Sequence, residues 1–423
     1  MIGLRLCTLA LAMVLALALA GCSSDDESQE SGPGLDYPYV ERVPVAGCDV
    51  PAACDVALAD CQQGWLSAVS CLRGMEPMSV PIRVIDEATF ADELEAMPPE
   101  EPRPSPDYEE TALSYLGFVE LGALDPSSID ARQVENIAAY YSTDTKDITV
   151  IDRGGRNDSI SQNSTLFHEL VHAAQDQEVD LDAYMESFAT TSDSDLGARS
   201  LVEGEASFYQ QLVVGALNGI DVGSLDLAAM LLEMRALRLR QALLDPSPYL
   251  MALYVTPYGL GAPYTHSAYA AAGPQGVRDL YADPPLSTRR LLQLDLAGES
   301  EPTPPEFLDV PALTEGSFEH HETDSLGAVG LLVYYDYWFS GMDMEQAVKL
   351  SGDRFDVLSV AGSTALVWQL SFDDVANAAA MMDLVSSHGL SYYWHVRVDE
   401  GQILMVDAES ESVRIALVNA LGL

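Results

Sequence analysis

Two histidines and a glutamate in the middle of the chain have the types and spacing needed to bind and use a metal ion. Residues 168–172 read His-Glu-Leu-Val-His, the pattern H-E-x-x-H. On a helix, residues four apart lie on the same face, so His168 and His172 can share one Zn²⁺. Glu169 is then placed to act as general base on a water that the metal activates. A catalytic zinc takes three protein ligands and keeps one position open, so a third ligand is required.

Glu203 is the best candidate for that third ligand. It follows His172 by 31 residues and lies on a separate predicted helix over 196–217. Gly204 beside it would let this helix approach the helix of the motif closely. Glu205, two residues along and on a different face, is the runner-up ligand. The alternative is that Glu203 is an ordinary surface carboxylate.

Hydrophobic periodicity predicts the elements that position these residues. A helix capped within 161–164 and running to about residue 177 carries the motif. Its apolar stripe follows the spacing i, i+3, i+4, i+7 and consists of Phe167, Leu170, Val171 and Ala174. The other predicted elements of this part are a strand at 80–85, helices at 88–97, 108–121, 196–217 and 225–244, and a hairpin over 137–152.

The order of these elements predicts an α+β protein. Residues 79–300 form a largely helical core with a small sheet, and residues 298–315 are rich in Pro and Glu and mark a boundary. Residues 301–423 are predicted to form a smaller C-terminal α+β unit of strands, a hairpin and helices.

The N-terminus has the features of an export signal with a lipid attachment site. Arg5 precedes an apolar run from residue 6 to residue 20, and the run ends in Leu19-Ala20-Gly21-Cys22, which is similar to a bacterial lipobox. We expect residues 1–21 to be cleaved and Cys22 to be acylated. Residues 22–47 then form an acidic tether, and the protein is held in the cell envelope, on the outer membrane or the cell surface. An ordinary cleaved signal is the alternative.

Four cysteines remain in the segment 48–78, and an exported chain favours disulfides between them. These are Cys48, Cys54, Cys61 and Cys71. Two disulfides are expected, with three connectivities possible. A zinc site is the competing interpretation, but no C-x-x-C spacing is present.

The charge of the chain argues against nucleic acid and anionic membranes as partners. The formal net charge is −46, and the chain has only two lysines, Lys146 and Lys349. Such a surface repels nucleic acid and anionic membranes. Solubility or a salty habitat accounts for it, and attraction of basic peptides into an acidic cleft is a weaker functional alternative.

The motif also belongs to a longer resemblance. The stretch HELVHAAQDQ is similar to the H-E-L-[TV]-H-A-x-Q-D-Q of a group of exported bacterial and archaeal metallopeptidases, and Glu203-Gly204-Glu205-Ala206 resembles the third-ligand segment of gluzincins. Further similar stretches are LGF at 116–118, AYYSTDTKDITVI, LVEGEA, PYGLGAPY and DPPLST. The resemblance implies a zincin-like fold, with His168, His172 and Glu203 as zinc ligands and Glu169 as catalytic base. The chain departs from the group at 291–294 and 350–354, which concerns the C-terminal part.

Several other residues are candidates for supporting roles. Tyr258 comes first, by its position in the family pattern, as a donor to the transition-state oxyanion, followed by Tyr264 and His266. Asp176 could accept a hydrogen bond from a ligand imidazole. The strand at 148–152 could pair with an extended peptide if it is an edge strand.

Two histidine-containing groups are set aside. Residues 319–322, Glu-His-His-Glu, are predicted to be a solvated loop, and His388 and His395 have no partner at ligand spacing.

Together these features predict a membrane-anchored, zinc-dependent metallopeptidase that acts on peptides or proteins. The first alternative is a non-catalytic binding or scaffold lipoprotein on the same fold, which has no need of Glu169. The second is a metal-storing surface lipoprotein, which seven histidines in the whole chain do not favour.

Overall fold

The computed structural model describes residues 42–96, 107–123, 137–154, 157–298, 306–339, 344–388 and 401–423, together with 301, 341 and 397–399. The predicted signal peptide 1–21, Cys22 and most of the tether lie outside the described residues, as does His395. The described chain is α+β, as predicted, with a two-stranded sheet, a three-stranded sheet and a larger, five-stranded C-terminal sheet.

The Cys-rich segment forms a small disulfide-bonded unit. Strands β1 (Arg42–Val45) and β2 (Cys48–Pro51) pair antiparallel and are followed by helix α1 (Ala59–Arg73). The predicted two disulfides are present, and of the three connectivities the chain adopts Cys48–Cys71 and Cys54–Cys61. Both bonds involve α1, so they fix this helix to the segment before it.

A three-stranded sheet with its helices follows, and one prediction about it is wrong. The elements are β3 (Ile82–Asp86), α2 (Glu87–Glu95), α3 (Tyr108–Tyr115), β4 (Ala139–Ser142) and β5 (Asp147–Asp152). The predicted hairpin is confirmed, but β5 lies between β3 and β4 and is not an edge strand. The physical reason is its composition: residues 148–151 are all buried, which is typical of a strand with neighbours on both sides. The edge strands of this sheet are β3 and β4.

The helical part comprises six helices in the described residues 157–298. They are α4 (Ile160–Val179), α5 (Leu181–Phe188), α6 (Ser192–Leu217), α7 (Leu227–Leu243), α8 (Pro248–Asp279) and α9 (Thr288–Gln293). Helix α8 was not predicted, because it contains Pro257, Pro263 and Pro274, which normally end helices. It is buried over most of its length and packs on α6 and α7, so tertiary contacts outweigh Pro257 and Pro263. At Ala272 and Gly273, directly before Pro274, its backbone is not helical and the helix kinks.

Gly204 makes a close helix approach possible, but with a different partner from the predicted one. A Cβ atom at Gly204 would collide with the backbone of Gly261 on α8, and a Cβ at Gly261 would collide with the carbonyl of Ser200. The two glycines therefore let α6 and α8 touch through their backbones. The helix of the H-E-x-x-H motif, α4, is not the neighbour that Gly204 meets.

The C-terminal part contains a five-stranded antiparallel sheet in the order β6-β7-β8-β10-β9. Its elements are α10 (Val310–Thr314), β6 (Glu319–Asp324), α11 (Gly327–Phe339), α12 (Met344–Ala347), β7 (Leu350–Val360), β8 (Ser363–Phe372), α13 (Val375–Ser387), β9 (Arg397–Asp399), β10 (Gln402–Ala408) and α14 (Glu411–Ala420). This part and the helical part share one hydrophobic cluster. Phe118, for example, stacks on Tyr249 and meets Trp368 edge-on, with ring centroids 4.9 and 5.9 Å away.

The prediction of a solvated loop at 319–322 is wrong, because these residues form most of edge strand β6. Its backbone pairs with β7, His320 lies 3.3 Å from Asp356, and the ring of His321 stacks on Tyr108 at 4.2 Å. Within the described part of the chain these histidines do not join a group of three metal-ligating side chains. Among the same residues no helix is long and apolar enough to cross a membrane.

Candidate metal centre

Helix α4 presents the H-E-x-x-H motif inside the protein. Ser159 caps its N-terminus by accepting a hydrogen bond from the backbone of Gln162. The predicted apolar stripe is buried, and Phe167 meets Trp65 of α1 edge-on at 5.6 Å. The indole of Trp65 also donates to Asn163 at 2.8 Å. These contacts with α1 fix the rotation of α4 about its own axis. The motif residues lie beside the apolar stripe on this helix.

Glu203 on α6 meets both histidines, as the sequence predicts. Its Oε2 atom lies 3.1 Å from Nε2 of His168 and 3.5 Å from Nε2 of His172. One ligand atom from each residue lies within 4.8 Å of the other two, and all three side chains are buried. We call this group, His168, His172 and Glu203, the metal centre, because it can hold a metal ion.

The metal centre contains buried polar atoms that the protein itself does not satisfy. Among the described residues, Nδ1 of His168, Nε2 of His172 and Oε1 of Glu203 have no hydrogen-bond partner. Buried polar groups of this kind are costly, at about 1–3 kcal/mol each. A cation held between two imidazoles and a carboxylate would engage Nε2 of His172 and Oε1 of Glu203, so this donor set fits a bound metal.

The electrostatics of the three side chains are mutually dependent. Burial raises the pKa of Glu203, but attraction to His172 and hydrogen bonds to both histidines together outweigh burial and hold this pKa below its ordinary value. Burial lowers the pKa of His172, yet the carboxylate of Glu203 outweighs that and raises this pKa to about 9. Burial dominates for His168 and lowers its pKa. A metal ion must therefore displace a proton from His172 at neutral pH, because only neutral imidazole is a ligand.

Glu169 lies next to the metal centre without belonging to it. Its Oε2 atom accepts a hydrogen bond from the backbone N–H of Tyr141 on β4, at 3.0 Å, and its Oε1 atom has no partner in the described structure. Burial raises the pKa of Glu169 to about 8, although attraction to His172 opposes this. A carboxyl group with a pKa in this range can both accept and release a proton near neutral pH.

Glu205, the runner-up ligand, takes part in a separate set of contacts. It accepts hydrogen bonds from Arg73, Gln175 and Tyr281, at 2.8, 2.9 and 2.7 Å. It is not part of the group that can hold a metal. The choice of Glu203 over Glu205 agrees with this geometry.

The predicted role of Asp176 is wrong, and its neighbour Gln175 has that role. Oε1 of Gln175 lies 2.8 Å from Nδ1 of His172. Asp176 instead accepts hydrogen bonds from Tyr141 and Lys146, at 2.6 and 2.7 Å. Residues three and four after His172 both return to its face of the helix, so spacing does not distinguish them.

Of the three oxyanion candidates, Tyr258 lies nearest to the histidines. Its ring is 6.0 Å from that of His168, and it is buried on α8. The hydroxyl of Tyr264 donates to the carbonyl of Asp295 at 3.4 Å, and the ring of His266 packs against Phe208 at 5.9 Å. No contact joins either of these two to the metal centre in the described residues.

Comparisons of the chain with protein-family models, with curated proteins and with solved structures find no match. Function is therefore inferred from the side chains of the site.

Proposed function

We propose that the protein is a zinc-dependent peptidase of the gluzincin type, held in the cell envelope by a lipid on Cys22. The observation that carries the proposal is the arrangement of four buried side chains. Three of them converge as ligands, while Glu169 lies beside them and is held by strand β4 instead. A site that only stores or is stabilised by metal has no use for this fourth side chain, a second carboxyl group.

The donor set supports zinc as the metal. Two imidazoles and one carboxylate are the ligands of one established class of catalytic zinc sites, which leave the fourth position open. The same three donors also occur in non-haem iron sites, so the metal content of the purified protein must be measured. A bound zinc ion would supply Lewis-acid chemistry, polarising the scissile carbonyl and lowering the pKa of water to about 7.

The protein's own groups have defined tasks in this proposal. Glu169 takes the proton of the attacking water and passes it to the leaving amine, and the N–H of Tyr141 holds the carboxylate in place for this. Because Tyr141 reaches Glu169 from edge strand β4, that strand runs past the site and is the proposed place for an extended peptide to pair. Tyr258 is the proposed donor to the oxyanion.

The substitution Glu169→Gln tests the catalytic part of the proposal. The amide keeps the size and can still accept from Tyr141, but it cannot take up the proton. Hydrolysis of a peptide library should fall by about 10²–10⁴-fold or more, while zinc content and melting temperature change little. A variant that digests peptides as fast as the wild type would overturn the mechanism. A wild type that holds zinc and cleaves nothing would favour the binding or scaffold lipoprotein.

The anchoring part is tested separately with Cys22→Ala. This variant should leave the membrane fraction or remain unprocessed, because signal cleavage and acylation both require the cysteine. Its normal processing and normal membrane retention together would contradict the lipid anchor without affecting the zinc proposal.

A further inference from the structure

We infer that Gln175, Glu205 and Arg73 form a positioning network that selects which nitrogen of His172 binds the metal. The inference rests on the metal-binding part of the proposed function and not on peptidase activity. None of the three residues belongs to the ligand group, and each contacts the next one in the order Arg73, Glu205, Gln175, His172.

The orientation of the Gln175 amide is determined by its nitrogen. Nε2 of Gln175 donates to two acceptors, the carbonyl of Val202 at 2.9 Å and the carboxylate of Glu205 at 2.9 Å. A flipped amide would place its oxygen against both of these oxygens, which is unfavourable in a buried site. The oxygen of Gln175 must therefore face Nδ1 of His172.

This orientation determines the tautomer of the imidazole. A carbonyl oxygen only accepts hydrogen bonds, so Nδ1 of His172 must carry a hydrogen for the 2.8 Å contact to be favourable. The nitrogen that remains for a metal is Nε2, the atom directed at Glu203. Holding the Nδ1 hydrogen in this contact fixes the orientation of the ring, which avoids the loss of affinity that a freely rotating imidazole brings.

Glu205 holds the amide because its own position is fixed from two other sides. Arg73 donates to its Oε1 at 2.8 Å, and the hydroxyl of Tyr281 donates to its Oε2 at 2.7 Å. The side chains of Arg73 and Glu205 are each only 1% exposed. A buried ion pair with these added hydrogen bonds keeps its geometry, since moving either charge would leave the other uncompensated.

Arg73 connects the disulfide-bonded segment to the metal centre through Glu205 and Gln175. It is the last residue of α1, two positions after Cys71, which is bonded to Cys48. The segment 48–78 thus has a role beyond stability: it supplies the cation at the far end of the network. The network also gives Glu205 a role: it lies two residues after the ligand Glu203 and does not bind the metal, but its carboxylate accepts from Arg73 and Gln175.

The test compares two glutamates that share the same arginine. Glu205→Gln removes the charge between Arg73 and Gln175, and its amide can face Gln175 with either oxygen or nitrogen, so the carbonyl of Val202 is left to orient Gln175. Glu178→Gln is the matched control, since Glu178 lies 3.0 Å from Arg73 but does not contact Gln175 in the described structure. Metal affinity is measured for the purified proteins by competition between Zn²⁺ and a chelator, together with the absorption spectrum of the Co²⁺ form.

We expect Glu205→Gln to weaken zinc binding about 10–100-fold and to change the Co²⁺ spectrum, whereas Glu178→Gln leaves both unchanged. Gln175→Met, which keeps the volume and removes the acceptor, should have the same effect as Glu205→Gln. If Glu205→Gln and Gln175→Met lower the melting temperature but bind zinc with wild-type affinity, the network is merely structural and the inference is overturned. A wild type without zinc affinity would overturn the proposed function as well, so the two failures are distinguishable.

Discussion

Two buried groups of ionisable side chains in the described structure are satisfied in opposite ways. One is the metal centre, where Nε2 of His172 and Oε1 of Glu203 have no hydrogen-bond partner among the described residues. The other lies where α6 meets the C-terminal part and consists of Asp193, Asp324 and Asp353; we call it the aspartate joint. Asp353 alone accepts four hydrogen bonds, from Ser325, Leu326, Gly327 and Trp368.

The remaining members of the joint are satisfied in the same manner. Asp324 accepts from the backbone and hydroxyl of Ser192, and Asp193 accepts from the backbone and hydroxyl of Thr288. Burial raises the pKa of Asp353 and raises that of Asp193 to about 7. Buried charge and a shifted pKa therefore occur in both groups. The metal centre differs in having convergent polar atoms without hydrogen-bond partners, and such atoms indicate that a ligand binds there.

The largest expected effect is on the stability of the joint. Asp353→Asn should lower the free energy of unfolding by about 2–5 kcal/mol, because the amide NH₂ must face donors that the carboxylate now accepts from. Chemical denaturation of the metal-free protein measures this. The folded fraction of the variant should still bind zinc with wild-type affinity. Lost zinc affinity in a folded variant would mean that the two groups are coupled.

Stabilisation by zinc should depend on the metal centre and not on the aspartate joint. At a free concentration of 100 times its dissociation constant, zinc should stabilise the wild type and Asp353→Asn by about 2.7 kcal/mol, as any ligand of the folded state does. Glu203→Gln is the same change of carboxylate to amide placed in the metal centre, and it should lose most of this stabilisation. Thermal unfolding with and without zinc gives the comparison. Equal stabilisation of all three proteins would show that zinc binds elsewhere.

The metal centre should also respond to pH. The carboxylate of Glu203 raises the pKa of His172 to about 9, so below this pH a proton competes with the metal. Zinc affinity should fall about tenfold for each pH unit between about 8.5 and 6.5, which corresponds to about 1.4 kcal/mol per unit. Isothermal titration in two buffers of different protonation enthalpy would count the released proton. A dissociation constant that is independent of pH over this range would contradict the pairing of His172 with Glu203.

The smallest effect concerns Asp193. Its folded pKa of about 7 lies above the ordinary value of 3.8, so the stability it contributes is present at low pH and is lost as pH rises through about 7. Asp193→Asn keeps an oxygen for Thr288 and cannot ionise. The variant should gain about 1–2 kcal/mol of stability relative to the wild type between pH 6 and pH 8. A pH-independent difference would show that Asp193 does not ionise in the folded protein.

The sequence predicted the parts of the site that depend on spacing along one element. The pair His168 and His172 and the adjacent Glu169 follow from helical periodicity, and the four paired cysteines follow from their number in an exported chain. The choice of Glu203 needed the Gly204 beside it and the family resemblance. These signals are local, and local patterns survive folding when a buried apolar stripe fixes the helix.

The parts that depend on packing between distant elements were not predictable. Helix α8 contains prolines, which normally end helices, so the sequence did not indicate it. Its close approach to α6 depends on two glycines 57 positions apart, Gly204 and Gly261. The order of the small sheet follows from the parallel pairing of β3 with β5, which joins positions 66 residues apart in the chain, such as Ile82 and Ile148. The contact between Arg73 and Glu205 spans 132 residues, and no spacing rule indicates it.

The central claim is that His168, His172 and Glu203 bind one zinc ion. The most direct test is a crystal of zinc-equilibrated protein measured at the zinc absorption edge, together with the zinc content of the same preparation. One zinc per chain is predicted, with a single anomalous peak about 2.0–2.2 Å from Nε2 of both histidines and from a carboxylate oxygen of Glu203. A protein that takes up no zinc, or a peak ligated by Glu205 or by other side chains, would contradict the account.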